Sequence, residues 1–383
     1  MIRKTNILIY GIFIQLFATQ SILMFNLFDL ANFWQIKKFL HPIGVGLSIL
    51  YVVILKTHKK TYSAIDILLA LYLLIYLILS IPNHKDLASF YYTFRDNFMV
   101  FALIMIYSNT NLKPKVWMVF LKFSLAFVLL NICAVLVNFI IGYEDYMELV
   151  TGRFVWGNDP EYNFKISFFY NFIRSPGLIG ESANLGYFGL FSFWFFLKSK
   201  EFNKYAIFPF ILALLSFTRS VYLSLFLVML IRVLNTKQVL KFLLKYMWVI
   251  FSLIFFFVLV LYNYNIFEAE SLFIRIENWG ESAKFSTSYL FGGELGKIGT
   301  AVIEGGGPNV LDSYWITTLL SFGILGVILI VSFINNKQSK DIELSVFLIA
   351  IALSGFFVTL TQSITFLVMF PLIFLKKDDL SYT

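Results

Sequence analysis

The chain of 383 residues contains one cysteine, Cys133, and three histidines, His41, His58 and His84. A lone cysteine closes no intrachain disulfide, which excludes a disulfide-stapled scaffold and leaves cysteine usage silent about compartment. The histidines stand on different connections, so no zinc or haem spacing exists. Charge is scarce too: 14% of residues are Asp, Glu, Lys or Arg, against about 25% in a soluble domain. In its place stand 59% hydrophobic and 19% aromatic residues, with a mean hydropathy of +0.81. These values exclude a soluble multidomain enzyme and a disordered chain. Bilayer thickness becomes the dimension that organises the sequence.

A span needs about 20 apolar residues, because backbone groups in hydrocarbon must pair within the chain. Such runs occupy roughly 6–28, 39–55, 62–81, 96–108, 116–141, 183–197, 205–217, 220–234, 246–264, 314–334, 342–360 and 362–375. Twelve runs, an even number, put both termini on one side. The first is too long for a signal-peptide core and lacks a small-x-small cleavage site, so it reads as a retained span. The expected fold is therefore an all-α integral membrane protein with about 12 transmembrane helices, a single polytopic domain over 1–383.

The net charge of +8 divides by side. One set of short connections carries 18 of the 30 Lys and Arg against five acidic residues. The opposite set carries 11 basic residues, Arg95 among them, against 16 acidic ones. Lys122 and Asp66 lie within spans, Asp66 near enough to an end to reach the cytoplasmic surface. Short loops rich in Lys and Arg face the cytoplasm, so both termini are cytoplasmic. The positive balance is topology and gives no support to nucleic-acid binding.

Two outer loops, about 142–182 and 265–313, break the pattern. Loops of that length are commonly functional or disordered, and their tyrosines and tryptophans argue for order near the headgroups. Ser167–Ile173 has the character of a segment lying in the membrane interface. The runs 205–217 and 220–234 meet at Thr218-Arg219-Ser220 without a loop, which implies a hairpin tip sunk into the protein or just below the outer surface. Gly292-Gly293-Glu294-Leu295-Gly296-Lys297 is not a phosphate loop. It lacks the first glycine, has Ile298 in place of Ser or Thr, and lies on the side without ATP.

The remaining outer-side chemistry is a set of arginines with carboxylates. Arg174 opens Arg174-Ser175-Pro176-Gly177, and Gly180-Glu181-Ser182-Ala183-Asn184 follows at the start of a span. Arg219 marks the hairpin, Arg275 precedes Glu277 and Trp279, and Asp312 precedes Ser313 and Tyr314. Guanidinium forks grip phosphate bidentately and keep their charge in any setting. Ordinary roles stand beside these: Arg174 as interfacial anchor, Arg275 as solvated loop charge, Asp312 as helix N-cap. Arg219 is the costliest to place between apolar runs. Asn131 and Asn138 suit ties between helices, and Gly305–Gly307 a flexible turn.

These segments, with Leu290-Phe291-Gly292-Gly293 and Gly323-Ile324-Leu325-Gly326, resemble the O-antigen polymerase/ligase superfamily over about 140–330. The resemblance implies transfer of a glycan from undecaprenyl diphosphate to an acceptor hydroxyl at the periplasmic face of the bacterial inner membrane, without nucleotide sugar, metal or other cofactor. Asp312-Ser313 stands where ligases typically have histidine then asparagine, so the likeness is closer to the Wzy-type polymerases. It implies Asp312, Arg219 and Arg275 as catalytic residues and Arg174, Glu181, Asn184, Trp279 and Tyr314 as substrate-binding residues. The implied partners are the undecaprenyl-diphosphate-linked oligosaccharide, membrane lipids and a chain-length regulator. A ligase acting on lipid A core is the nearest alternative. A lipid-linked oligosaccharide flippase is a further one, though its two halves should be related and its loops short.

In a Cys133→Ser background, Asn158→Cys should react with a membrane-impermeant maleimide in cells whose outer membrane is permeabilised. Lys200→Cys should react only after the inner membrane is opened as well. The reverse pattern would invert the topology.

Overall fold

The computed structural model describes residues 4–19, 40, 42–50, 62–84, 87–109, 111–112, 114–151, 168–169, 172–233, 277–280, 288–293, 295–296, 313–337, 342–356 and 358–377. Helices form at Lys4–Thr19 (α1), 42–50 (α2), Ala64–Ser80 (α3), Leu87–Phe94 (α4), Val100–Tyr107 (α5), Pro114–Ile141 (α6) and Tyr143–Thr151 (α7). They continue at Ser182–Leu197 (α8), Ile207–Leu215 (α9), Arg219–Val233 (α10), Tyr314–Lys337 (α11), Ile342–Ser354 (α12) and Ile364–Leu372 (α13). A π-helical turn, Arg95–Met99, lies between α4 and α5. Extended pairing among the described residues is confined to two-residue strands, Asn111–Leu112 beside Lys376–Lys377 and Phe168–Phe169 beside Phe172–Ile173. The second pair falls in the stretch expected at the membrane interface.

Described helices thus occupy eleven of the twelve apolar runs, and the run 246–264 lies outside the described residues. Among the described residues three segments, Ala64–Asn83, Pro114–Ile141 and Tyr314–Lys337, are helices long and apolar enough to cross a membrane. The make-up is that of a mostly helical membrane protein. On α3 the outward residues are themselves large and apolar, among them Leu68, Leu71, Ile75 and Leu79. Such a face suits lipid better than water.

The chain divides into two compact units. The first comprises 1–61, 97–222 and 361–383, and the second 62–96 and 223–360.

In the first unit α8 is buried nearly all round, as a helix apolar on every face should be. Its glycines let α9 approach. A Cβ on Gly189 would lie 2.7 Å from Ala213 N, and one on Gly186 2.6 Å from Ser216 Oγ. Close backbone approach through small residues is how helices pack where lipid gives no hydrophobic drive. On α13, Phe366 and Phe370 stack at 4.7 Å and meet Phe191 of α8 edge-on and tilted.

In the second unit α3 packs along α11, and the start of the one meets the end of the other. Ser63 and Asp66 form a capping box at the start of α3. Lys337 Nζ, in the last turn of α11, stands 2.7 Å from Asp66 Oδ2, with side-chain exposures of 9% and 1%. Asn336 Nδ2 donates to Ser63 Oγ at 2.8 Å. This corrects the expectation that Asp66 reaches the surface. The pair is buried because α3 starts where α11 ends, and a buried carboxylate requires a partner.

The helix α11 is broken at Gly323 (φ 68°, ψ −178°). Residues 288–293 fill the break. Ile324 N–H donates to Tyr289 O at 2.9 Å, Leu325 N–H to Leu290 O at 3.3 Å, and Gly293 N–H to Ser321 O at 3.2 Å. The Tyr72 hydroxyl donates to Phe322 O at 2.6 Å, and that of Tyr76 to Phe291 O. A Cβ on Gly323 would meet Leu290 O at 2.3 Å, and one on Gly292 would meet Gly323 N at 2.5 Å. Two segments that the sequence separates are thereby one backbone structure.

Gly323→Ala should lower the unfolding midpoint in detergent. A left-handed conformation costs an alanine about 1–2 kcal/mol, before the clash with the Leu290 carbonyl. Gly46→Ala, whose Cβ would meet nothing within 4 Å, should be neutral or stabilising. Equal midpoints for the two variants would refute the account of the break.

Candidate functional site

In the first unit the loop 174–181 is held by groups from α6 and α7. Gly177 adopts φ +56°, and a Cβ there would stand 2.8 Å from both Asn131 Oδ1 and Leu185 Cδ1. Only glycine satisfies both conditions. Tyr146 donates its hydroxyl to Gly177 O at 2.7 Å, and burial pushes the Tyr146 phenol above its ordinary range. Leu178 N–H donates to Asn131 Oδ1 at 2.9 Å, while Asn131 Nδ2 donates to Phe127 O at 2.9 Å. Asn131 is the tie that its place in an apolar run led one to expect, though it ties a loop to a helix. Gly180 closes the turn, donating N–H to Pro176 O at 3.1 Å.

Glu181 then takes the N-cap position of α8 but makes no cap hydrogen bond with its side chain. Its Oε2 accepts from Asn184 Nδ2 at 2.8 Å, and Asn184 Oδ1 accepts from Ser363 Oγ. Ser363 caps α13 through Phe366 N–H. Glu181 and Asn184 therefore join the starts of α8 and α13.

The α9–α10 hairpin meets this loop. Its tip is Phe217, at φ +49°, a rare conformation for a bulky residue. Ser216 Oγ donates to Ala213 O at 2.7 Å and accepts from Thr218 N–H at 3.3 Å. Thr218 Oγ1 donates to Ser182 O at 3.2 Å, and the Tyr187 hydroxyl to Ser220 Oγ at 3.2 Å. The two motif segments, separated by about 40 residues in sequence, are thus joined at the N-termini of α8 and α10. Arg174, half-buried, lies within electrostatic range of Tyr222. Tyr222 itself donates to Leu214 O at 2.5 Å.

Arg219 is the first residue of α10 and its side chain is exposed. The expectation of an arginine sunk at the hairpin tip is corrected: Phe217 forms the tip, and the helix begins in time to turn Arg219 outward. Backbone strain persists only where surroundings over-determine it, and it collects at functional sites. Phe217 carried no signal in the sequence, where a phenylalanine at the end of an apolar run looks like any other.

In the second unit Arg275, Glu294 and Asp312 lie outside the described residues, as do Gly305–Gly307. Trp279 sits on a helical turn at 277–280 and packs, as Ile316 does, against Leu320 of α11. Its Nε1 is buried without a hydrogen-bond partner among the described residues. Tyr314 opens α11, its N–H shared between Gly355 O (2.8 Å) and Val358 O (3.1 Å). The N-cap role that the sequence offers to Asp312 is taken by Ser313, whose Oγ accepts from Ile316 N–H at 3.4 Å. Among the described residues no three His, Cys, Asp or Glu side chains converge as a metal site would need.

Compared with known proteins, the chain matches no family model, no curated protein and no solved structure.

Asn131→Ala would leave the Leu178 N–H buried without its acceptor, at a cost of about 1–3 kcal/mol. The variant should unfold at lower temperature and expose the 174–181 loop to limited proteolysis before the rest of the chain. Unchanged proteolysis would show that the loop is held by other contacts.

Proposed function

We propose that the protein is a membrane glycosyltransferase of the O-antigen polymerase type, with about twelve spans, cytoplasmic termini and an active face toward the periplasm. It moves a glycan from undecaprenyl diphosphate to a sugar hydroxyl of another lipid-linked repeat unit. The observation that carries this reading is the position of Arg219. The N-terminus of a helix bears a partial positive charge, so a cation there is disfavoured and an anion is bound. An arginine at the first position of α10, beside a strained turn tied to the start of α8, stands against the helix dipole and adds a guanidinium to an end that already favours a phosphate. Arg174, on the loop that leads into α8, adds a second guanidinium in the same unit.

In this reading Arg219, Arg275 and Arg174 hold the diphosphate and offset the charge that grows on it as the glycosidic bond breaks. Fixed donors aimed at developing charge are commonly the largest catalytic contribution. Asp312 accepts the proton of the attacking hydroxyl. Trp279 and Tyr314 sit on or against α11, and Glu181 and Asn184 order the helix starts behind Arg174. The polyprenyl tails lie in the bilayer, and a chain-length regulator acts alongside.

The test is polymer growth on lipid-linked repeat units by the purified protein. Arg219→Ala and Arg275→Ala should each lower the rate by about 10²–10³-fold with folding intact. Lysine at either position should also impair, because a point charge lacks the fork. Wild-type chain growth in both alanine variants would end the phosphate-clamp reading. Transfer to lipid A core in place of a repeat unit would make the protein a ligase.

A further inference from the structure

A second cationic group stands apart from these motifs. Arg95 and Asp96 begin the π-helical turn Arg95–Met99, and such turns recur at functional sites. Neighbours in sequence do not face each other on a regular α-helix, yet here Arg95 Nε donates to Asp96 Oδ1 at 2.7 Å. Arg95 keeps 14% of its side-chain surface exposed and Asp96 11%. The guanidinium carbon stands 5.1 Å from the centre of the Tyr92 ring. The bond to Asp96 uses one of the five N–H donors of the fork and leaves its Nη edge without a partner among the described residues.

Tyr91, four residues before Arg95, is its electrostatic neighbour. Its hydroxyl is buried and has no hydrogen-bond partner among the described residues. Buried polar groups are nearly always paired, and an orphan calls for an explanation such as a bound ion. The same corner therefore holds a half-used guanidinium fork and an unused hydroxyl donor. Asp96 fixes the fork through Nε, and the Tyr92 ring supports the guanidinium through a cation–π contact.

We propose that Arg95 and Tyr91 form a subsite for a phosphoryl group. Its source is either the headgroup of a polyprenyl diphosphate or free diphosphate. The guanidinium edge brings a fixed positive charge and paired N–H donors, and the phenolic hydroxyl can donate beside it, a combination that suits the charged oxygens of a phosphate. The assignment of the lipid as source rests on the function proposed above; the phosphate chemistry rests on the cluster itself.

The experiment uses the full chain in detergent, carrying Arg174→Ala, Arg219→Ala and Arg275→Ala so that the proposed clamp adds nothing. Inorganic diphosphate and undecaprenyl diphosphate are the probes, read by equilibrium dialysis and by the shift in unfolding midpoint. Arg95→Lys should weaken binding about tenfold or more. Tyr91→Phe should raise the midpoint of the free protein, because an orphaned hydroxyl is removed, and should shrink the shift on adding diphosphate. Tighter binding of the lipid form assigns the headgroup, and equal binding assigns free diphosphate. No diphosphate-dependent shift, or affinity unchanged by both Arg95→Lys and Tyr91→Phe, overturns the subsite. Loss of chain growth in the clamp variants bears on the proposed function and leaves this result to stand separately.

Discussion

The requirement that buried backbone groups find partners organises every irregular feature of this chain. In hydrocarbon or in a packed apolar interior an unpaired N–H or C=O costs several kcal/mol. A regular helix meets the requirement by itself, and a broken one needs help. At Gly323 the help comes from residues 289–293 and the hydroxyls of Tyr72 and Tyr76. At Gly177 it comes from Tyr146 and Asn131, and at Phe217 from Ser216 and Thr218. Two of these interruptions are thus pinned by polar side chains from other elements, and the one at Phe217 by the residues that flank it. Among the described residues, the motif segments around 174–184, 218–220, 290–293 and 323–326 lie where the helix ladder stops.

This explains what could be read from the sequence and what could not. Hydropathy records which side chains tolerate an apolar setting, so the runs that became α3, α6 and α11 were plain. It does not record where a ladder is interrupted. Gly323 and Gly326 look alike in a uniform run, yet Gly323 takes a left-handed turn, while a Cβ on Gly326 would stand 2.3 Å from Phe322 Cβ. The partner of Asp66 is Lys337, 271 residues away. Composition can flag a carboxylate near a span end but cannot name a cation so distant. The arginine motifs were visible as residues, and the joining of 174–184 to 216–220 needed coordinates. Trp279 was expected among the substrate-binding residues; its packing against Leu320 shows that part of the side chain belongs to the fold.

Glycine and polar residues serve two different ends here. In the first unit Gly186 and Gly189 bring α8 onto α9, which carries the chain toward the Phe217 turn. Thr218 then links that turn to Ser182, the residue after Glu181. Glu181, Asn184 and Ser363 extend the same connection to α13. A close helix contact thus fixes where the loop and the hairpin present their arginines. The tolerance at such a contact is small, since packed interiors respond to a single methylene.

The described cations divide by how completely their charge is used. Lys337 is at a helix C-terminus, where the dipole favours it, and its contact with the buried Asp66 is structural on both counts. Arg95 pairs with Asp96 through one nitrogen and keeps the other edge of its fork available. Arg219 stands at the helix end that disfavours it, with its side chain exposed. Folding stability accounts for the first and for half of the second, and the helix dipole opposes the third. Charge held against local electrostatics persists in a sequence when something other than folding requires it. The position of Arg219 against the helix dipole, and the open edge of Arg95, are the physical basis for looking for an anion at Arg219 first and at Arg95 second.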